Sequence, residues 1–478
     1  MKAIIITMVF LVQIGISQPS LIWTKEYDSG FDDYAQGITI DYLGNSIVTG
    51  AIYNGIDFDC FTIKYNSSGD TLWTRQFDTG GSDIARGCAV DSIGCIYIIG
   101  SSRFDTLYDY ILIKYDFSGN LVWVRRYQSV FDNFGEAVAV DLNQDVIVSG
   151  YSYNGNSYDY LTVKYTPTGD TLWSRRYDAG FNDLSRDVAV DMNNNIIVTG
   201  SSYSISDSSF TFLTMKYNSI GDSLWVKRYL SPYFAYDNYA NAVAVDTNII
   251  VVGSAAGRPV IIKYTPSGDT IWIFYFPTNL GHGVHEPQDV AVDSAGNIFV
   301  VFDYLDVGNE YDYLTAKISP SGDTIWTVIY IKYNDGRDAY PRGIALDFNN
   351  DFIVTGFEYD DTTFNYVTVK YSEQGAIAEQ IRKSFFPQKF ELKELYPNPF
   401  RNHINIIFQT PNAECPEIAI CNIAGQVVKK FNHLTNRSEY KIVWDGTDNS
   451  GKQLPDGVYF IHLDTGYYCK SKKVIFLR

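Results

Sequence analysis

Histidines 282 and 285 stand three residues apart in Gly281-His282-Gly283-Val284-His285-Glu286, and His282, His285 and Glu286 together carry the donor set of a metal site. Catalytic zinc motifs hold their His pair on a helix, whereas the Gly and Pro around this run predict a loop, so ordinary loop histidines are the simpler expectation. A second group of candidates lies in segments rich in Tyr, Asp, Asn and Gly: 54–59, 105–109, 154–159, 303–313 and 359–365. Within them, Asp57, Asp59, Tyr108, Asp109, Tyr158, Asp159, Tyr311 and Asp312 are the candidate ligand-binding residues. Aromatic planes stack on the apolar faces of sugar rings while carboxylates and amides pair with hydroxyls. The same carboxylates suit Ca²⁺, the only cofactor considered, although no segment has the D-x-D-x-D-G spacing of an EF-hand-like loop. No G-x-S-x-G elbow and no phosphate-binding Gly-rich loop occurs, and acids are too widespread to pick a glycosidase pair without distances, so no catalytic residue is named.

The elements that position these residues follow from a repeat. Tryptophan recurs at Trp23, Trp73, Trp123, Trp173, Trp225, Trp272 and Trp326, at spacings of 50, 50, 50, 52, 47 and 54 residues, mostly in a Gly-Asp-Thr-Leu-Trp frame. Each unit reads as four short β runs separated by turn residues; in the third they are 136–141, 145–152, 160–165 and 171–177. Four strands at a period near 50 predict a β-propeller blade, and seven copies an all-β, seven-bladed ring. The series begins with a fourth strand (21–27) and ends with a third strand at Lys370-Tyr371, so the N-terminal strand is expected to close the last blade and remove an open edge. Two turns per unit keep their length and the other two vary, which puts any binding surface on the variable face.

The Asp of each Ala-Val-Asp-like run (Asp41, Asp91, Asp141, Asp191, Asp246, Asp293, Asp347) opens a tight turn and is expected to accept backbone N–H bonds there. The Lys of each Lys-Tyr is expected to make a cross-strand ion pair or to snorkel. Cys60 and Cys88 fall in slots held elsewhere by Tyr or by Ile and Val, and read as core substitutions; Cys415, Cys421 and Cys469 leave any pairing open.

The 478 residues carry a formal net charge of −18, which argues against a nucleic-acid partner. Lys2 and the apolar run up to Ile16 predict a secretory signal over 1–17, and no other stretch is apolar enough for a membrane span. The repeat stops near Phe385; a propeller over 18–384, a linker over 385–394 and a small β-sandwich over 395–478 are expected.

The units Ala-Val-Asp…Gly-Asn-Ile-Ile-Val-Thr-Gly…Asp-Tyr-Leu-Thr-Val-Lys-Tyr…Gly-Asp-Thr-Leu-Trp resemble bacterial SBBP-type β-propeller repeats. The tail, with Tyr396-Pro397-Asn398-Pro399-Phe400, Trp444-Asp445-Gly446, Asp448, Gly451 and Gly457-Val458-Tyr459, is similar to the C-terminal sorting domain of type IX secretion cargo and to the FlgD-like immunoglobulin fold. The resemblance implies secretion or display at the outer cell surface, with the secretion machinery as a partner of the tail and the tail open to cleavage. It carries over no catalytic residue. The expected function is a non-catalytic propeller that binds a polysaccharide or surface protein; the alternatives are a glycan lyase or hydrolase and a structural surface-layer spacer.

Overall fold

The computed structural model describes residues 19–231, 237–276, 283–305, 310–330, 337–373, 391–409, 417–422, 427–431, 439–464 and 469–477. The expected signal sequence over 1–17, His282 and Cys415 lie outside the described residues. The chain divides into two compact units, 1–375 and 376–478.

Among the described residues, the first unit holds seven four-stranded antiparallel sheets, making it an all-β, propeller-like array of blades. Sheet three runs through Asn133–Val140, Val146–Tyr153, Tyr158–Tyr165 and Thr171–Tyr177. Sheets one, two, four, five and six repeat this order from first strands at Asp33–Ile40, Asp83–Val90, Asp183–Val190, Asn238–Val245 and Gly283–Val292. Sheet seven takes three consecutive strands, Ala339–Leu346, Phe352–Tyr359 and Phe364–Ser372, and its fourth is Ser20–Tyr27, paired antiparallel from Ser20↔Ser372 to Tyr27↔Tyr366. The first strands of successive sheets are neighbours in order, and that of sheet seven lies beside that of sheet one.

Burial follows this stacking. The second and third strands of sheet three are buried almost throughout, because neighbouring sheets cover both of their faces, and they read as continuous apolar runs (VIVSGY, YLTVKY). The fourth strand, TLWSRRY, alternates between exposed and half-buried and leaves charged side chains on the sheet edge, where they discourage pairing with another chain.

Each first strand carries a β-bulge. Pairing slips between Gly135 and Ala137 in sheet three, leaving Glu136 as the extra residue, and the slip recurs around Gln36, Arg86, Arg186, Asn241, Gln288 and Arg342. The bulge explains the glycine in the middle of most second strands: a Cβ on Gly150 would sit 2.0 Å from the Phe134 carbonyl oxygen and 2.7 Å from the Tyr110 hydroxyl of sheet two. Tyr110 uses this space to donate to the Leu161 carbonyl at 3.2 Å, and Tyr160 reaches Leu213 in sheet four the same way. In the Tyr110 slot of sheet one stands Cys60, buried and free, as is the thiol of Cys421; Cys88 packs at the edge of the same apolar cluster as Cys60.

The second unit is two sheets over one core. Glu391–Tyr396, Ile404–Gln409 and Glu439–Trp444 form one, and Val427–Phe431, Glu417–Asn422, Gly457–Asp464 and Cys469–Phe476 the other. Phe400 of the Tyr-Pro-Asn-Pro-Phe run stacks on Phe476 with ring centroids 4.9 Å apart and meets Trp444 at 5.3 Å, so that motif places a core aromatic. No helix among the described residues is long and apolar enough to cross a membrane.

Candidate functional site

At the constant end of the sheets the repeated polar residues are consumed by structure. Asp141 Oδ1 accepts the amides of Asn143 and Asp145 at 2.8 and 2.9 Å, which fixes the turn, while Oδ2 faces buried Lys164 Nζ at 2.7 Å. The pairs Lys64–Asp41, Lys216–Asp191 and Lys370–Asp347 repeat this at 2.7 to 2.8 Å. Burial works against the Asp191 carboxylate, yet Lys216, Asn195 and the turn amides outweigh it and hold its pKa below the usual range. The lysine then reaches the next sheet. Lys114 Nζ and Trp123 Nε1 both donate to the Pro167 carbonyl, at 3.0 and 3.2 Å, and Lys164 with Trp173 does the same to Ser219. Trp123, Trp173, Trp225 and Trp272 are therefore inter-sheet ties, and Trp23 makes the same bond to Ser67 of sheet one.

The variable end holds the candidate ligand residues. Tyr108, Tyr158 and Tyr311 lie at or next to the start of third strands, are half-buried, and belong to a belt of aromatic contacts. Tyr158 meets Phe134, Tyr151 and Tyr153 with centroids 6.1, 5.5 and 5.1 Å apart; Tyr108 meets Phe134 at 5.2 Å and Tyr311 meets Tyr340 at 5.1 Å. Each aromatic is pinned through its backbone amide to a side chain of the following sheet: Tyr108 to Asp132, Tyr158 to Asn182, Tyr311 to Asp338. The acids behave differently. Asp59, Asp109, Asp159 and Asp312 are at most 5 % exposed. Asp109 pairs with Arg126 at 2.5 Å and Asp159 with Arg176 at 2.6 Å, so these carboxylates sit beneath the rim rather than on it. Asp57, half-buried, accepts from Asn54 at 2.9 Å.

The predicted loop around His285 is strand. Gly283–Val292 is the first strand of sheet six, because pairing with the second strand extends to Gly283↔Leu305 across two register slips. His285 packs on Tyr311 at 5.6 Å and Glu286 is exposed. Among the described residues, the three-carboxylate groupings fit to hold a cation lie elsewhere, at Asp59, Asp78 and Asp83 and at Asp159, Asp178 and Asp183.

A site that sequence reasoning missed lies where the first strands meet. A cavity of about 270 Å³ is lined by the bulge residues Gln36, Arg86, Glu136, Arg186, Gln288 and Arg342, together with Asp187 and Asp289. The available signal was a polar residue five positions before every repeated Asp, which a bulge turns inward. Asp187 accepts the amides of Val188 and Val243, and Asp289 those of Val290 and Ile344, each carboxylate spanning two adjacent sheets. Burial raises the Asp187 pKa to about 6; burial and then Asp187 raise that of Asp289 to about 8.

Residues 394–477 match the family of secretion system C-terminal sorting domains. That domain marks the chain as type IX secretion cargo and places it outside the cell or on its surface. No curated protein matches the sequence. In structure the chain is similar to PorZ, a surface component of the type IX secretion system of Porphyromonas gingivalis, at 15% identity and TM-score 0.45, over 95% of this chain and 61% of PorZ. It is also similar to the periplasmic gluconolactonase PpgL of Pseudomonas aeruginosa, at 12% identity and TM-score 0.45, over 61% of this chain and 85% of that one. A third similarity is to the Pan2 WD40 domain of Neurospora crassa, at 12% identity and TM-score 0.45, over 74% and 95% of the two chains.

Proposed function

We propose that the protein is a non-catalytic, surface-displayed or secreted β-propeller that binds a polysaccharide or a surface protein through its variable face. In this reading the seven sheets are the blades of a ring of SBBP-type repeats over 18–384, with the N-terminal strand completing the last blade. A linker over 385–394 leads to the immunoglobulin-like sorting module at 395–478. The pairing of Ser20–Tyr27 with Phe364–Ser372 and the adjacency of the first and last sheets support the ring.

The observation that carries the binding function is the aromatic belt: half-exposed Tyr108, Tyr158 and Tyr311 are held rigidly by neighbouring sheets beside Asn- and Asp-rich turns. Rigid aromatics with polar neighbours suit sugar rings, since stacking costs little conformational entropy. The cavity acids favour binding over hydrolysis, because Asp187 and Asp289 spend their oxygens on backbone amides.

The test is an array of surface polysaccharides probed with the full chain and with a Tyr108→Ala/Tyr158→Ala variant. Retention of at least one glycan by the parent and a loss of roughly tenfold or more in the variant are expected. Cleavage of a retained glycan by the parent chain would favour the lyase or hydrolase reading instead.

A further inference from the structure

The junctions between consecutive sheets share one design at the variable end, so the repeats serve as controls for one another. Three positions converge there: an acid near the start of a third strand, the residue just after the fourth strand, and a residue at the start of the next sheet. Between sheets two and three these are Asp109, Gln128 and Asn133, with Arg126 on Asp109 at 2.5 Å and Gln128 on it at 3.3 Å. Between sheets three and four they are Asp159, Asp178 and Asp183; here Arg176 donates to Asp159 Oδ2 at 2.6 Å and Ser157 to Oδ1 at 3.2 Å.

Between sheets one and two the positions are Asp59, Asp78 and Asp83; of the three side chains that donate to Asp159, only Asn154 has its counterpart, Asn54, while Arg176 and Ser157 have been exchanged. Gln76 stands at the position of Arg176, and Asp57 at that of Ser157. Asn54 and Gln76 both donate to Asp59 Oδ2, at 2.9 and 2.6 Å, and Asp59 Oδ1 is left buried with no hydrogen-bond partner on a residue 0 % exposed. Asp83, also fully buried, is met by the Thr79 amide at 2.7 Å, and Asp78 takes the Gly80 amide at 2.5 Å. Three carboxylates thus meet with only neutral donors, an arrangement that costs several kcal/mol per uncompensated buried ion.

We propose that Asp59, Asp78 and Asp83 form a Ca²⁺ site that clamps sheet one to sheet two. One carboxylate oxygen from each lies within 4.8 Å of the others, the separation set by oxygens about 2.4 Å from a common ion. Asp59 Oδ1 supplies the buried ligand, Asp83 a second, and exposed Asp78 leaves the outer side open to water, which completes the six to eight oxygens that Ca²⁺ takes. At the sister junction Arg176 and Ser157 already occupy both oxygens of Asp159, so no ion is expected there.

The test is calorimetric titration of chelator-treated full-length protein with CaCl₂, together with melting curves with and without Ca²⁺. One site with a Kd on the order of 10⁻⁴ to 10⁻³ M and a Ca²⁺-dependent rise in Tm are expected. Gln76→Arg and Asp83→Asn should each weaken binding by roughly tenfold or more. Both should fold, because Arg126, Arg176 and Asn133 already occupy those positions in sister junctions. Asp183→Asn should leave the titration unchanged. Absence of binding at about 10 mM CaCl₂, or binding that survives both Gln76→Arg and Asp83→Asn, overturns the site.

Discussion

A single carboxyl, Asp289, shows how the fold spends chemistry that looks catalytic. Its side chain is buried at the meeting point of the first strands and grips the amides of Val290 and Ile344, and burial with nearby Asp187 lifts its pKa to about 8. Cys88, Glu136, Arg86, Arg186 and Arg342 face the same cavity. Because the folded pKa lies above the unfolded value of about 3.9, the folded state holds the proton more tightly. The stabilisation is therefore complete below about pH 4 and is lost as pH rises through about 8. Asp289→Asn, which cannot ionise, should flatten the fall in unfolding free energy between about pH 5 and pH 8, a change on the order of a few kcal/mol. Urea denaturation at a series of pH values measures it; parallel profiles for parent and variant would assign the pH dependence to other groups.

Among elements, the unit of stability is the tie between two sheets rather than the sheet alone. The Lys164–Asp141 pair is buried at 2.7 Å, and the lysine also reaches the Ser219 carbonyl of the next sheet. Lys164→Met should cost about 3 to 5 kcal/mol, because the Asp141 carboxylate would be left buried without its cation. Adding Asp141→Asn should recover much of that loss, since the isolated charge goes too. Thermal or chemical unfolding of the two singles and the double gives the coupling; strictly additive losses would show that the pair itself contributes nothing. Sheet one offers a natural comparison: Lys64 donates to Phe117 in the same manner and lies 3.8 Å from its ring centroid, yet Trp73 Nε1 is buried without an acceptor.

For the whole first unit, the proposed ring rests on the strand Ser20–Tyr27, which is separated from its partner by almost the entire repeat array. Deleting residues 19–27 would open the edge of Phe364–Ser372 and remove the Trp23–Ser67 tie. A fall in Tm on the order of 10 °C is expected, partly restored by a synthetic peptide of the missing strand. Unchanged melting would show that the strand merely decorates the last sheet. The tail acts at the same scale but through another partner, the secretion machinery, so it is read by export rather than by stability.

Residue spacing alone determined the blade pattern: the Trp, Asp and Lys series each mark one fixed place in a four-stranded sheet, and strands alternating with turns at a period near 50 leave few other folds open. Strand ends were less legible. The first strand of sheet three starts at Asn133 rather than near Glu136, because a bulge lets pairing continue past the point where apolar alternation ends. The two tail strands Glu391–Tyr396 and Val427–Phe431, rich in charge, gave no apolar run to read. Candidate tyrosines were found because aromatics in polar turns stand out, whereas the fate of Asp59, Asp109 and Asp159 was decided by tertiary contacts. The sequence by itself determined that seven copies of one unit fold alike. Only the packing of one copy against the next decided which carboxylates met an arginine and which met only one another, because those partners sit on different strands and different sheets, where no spacing along the chain records them.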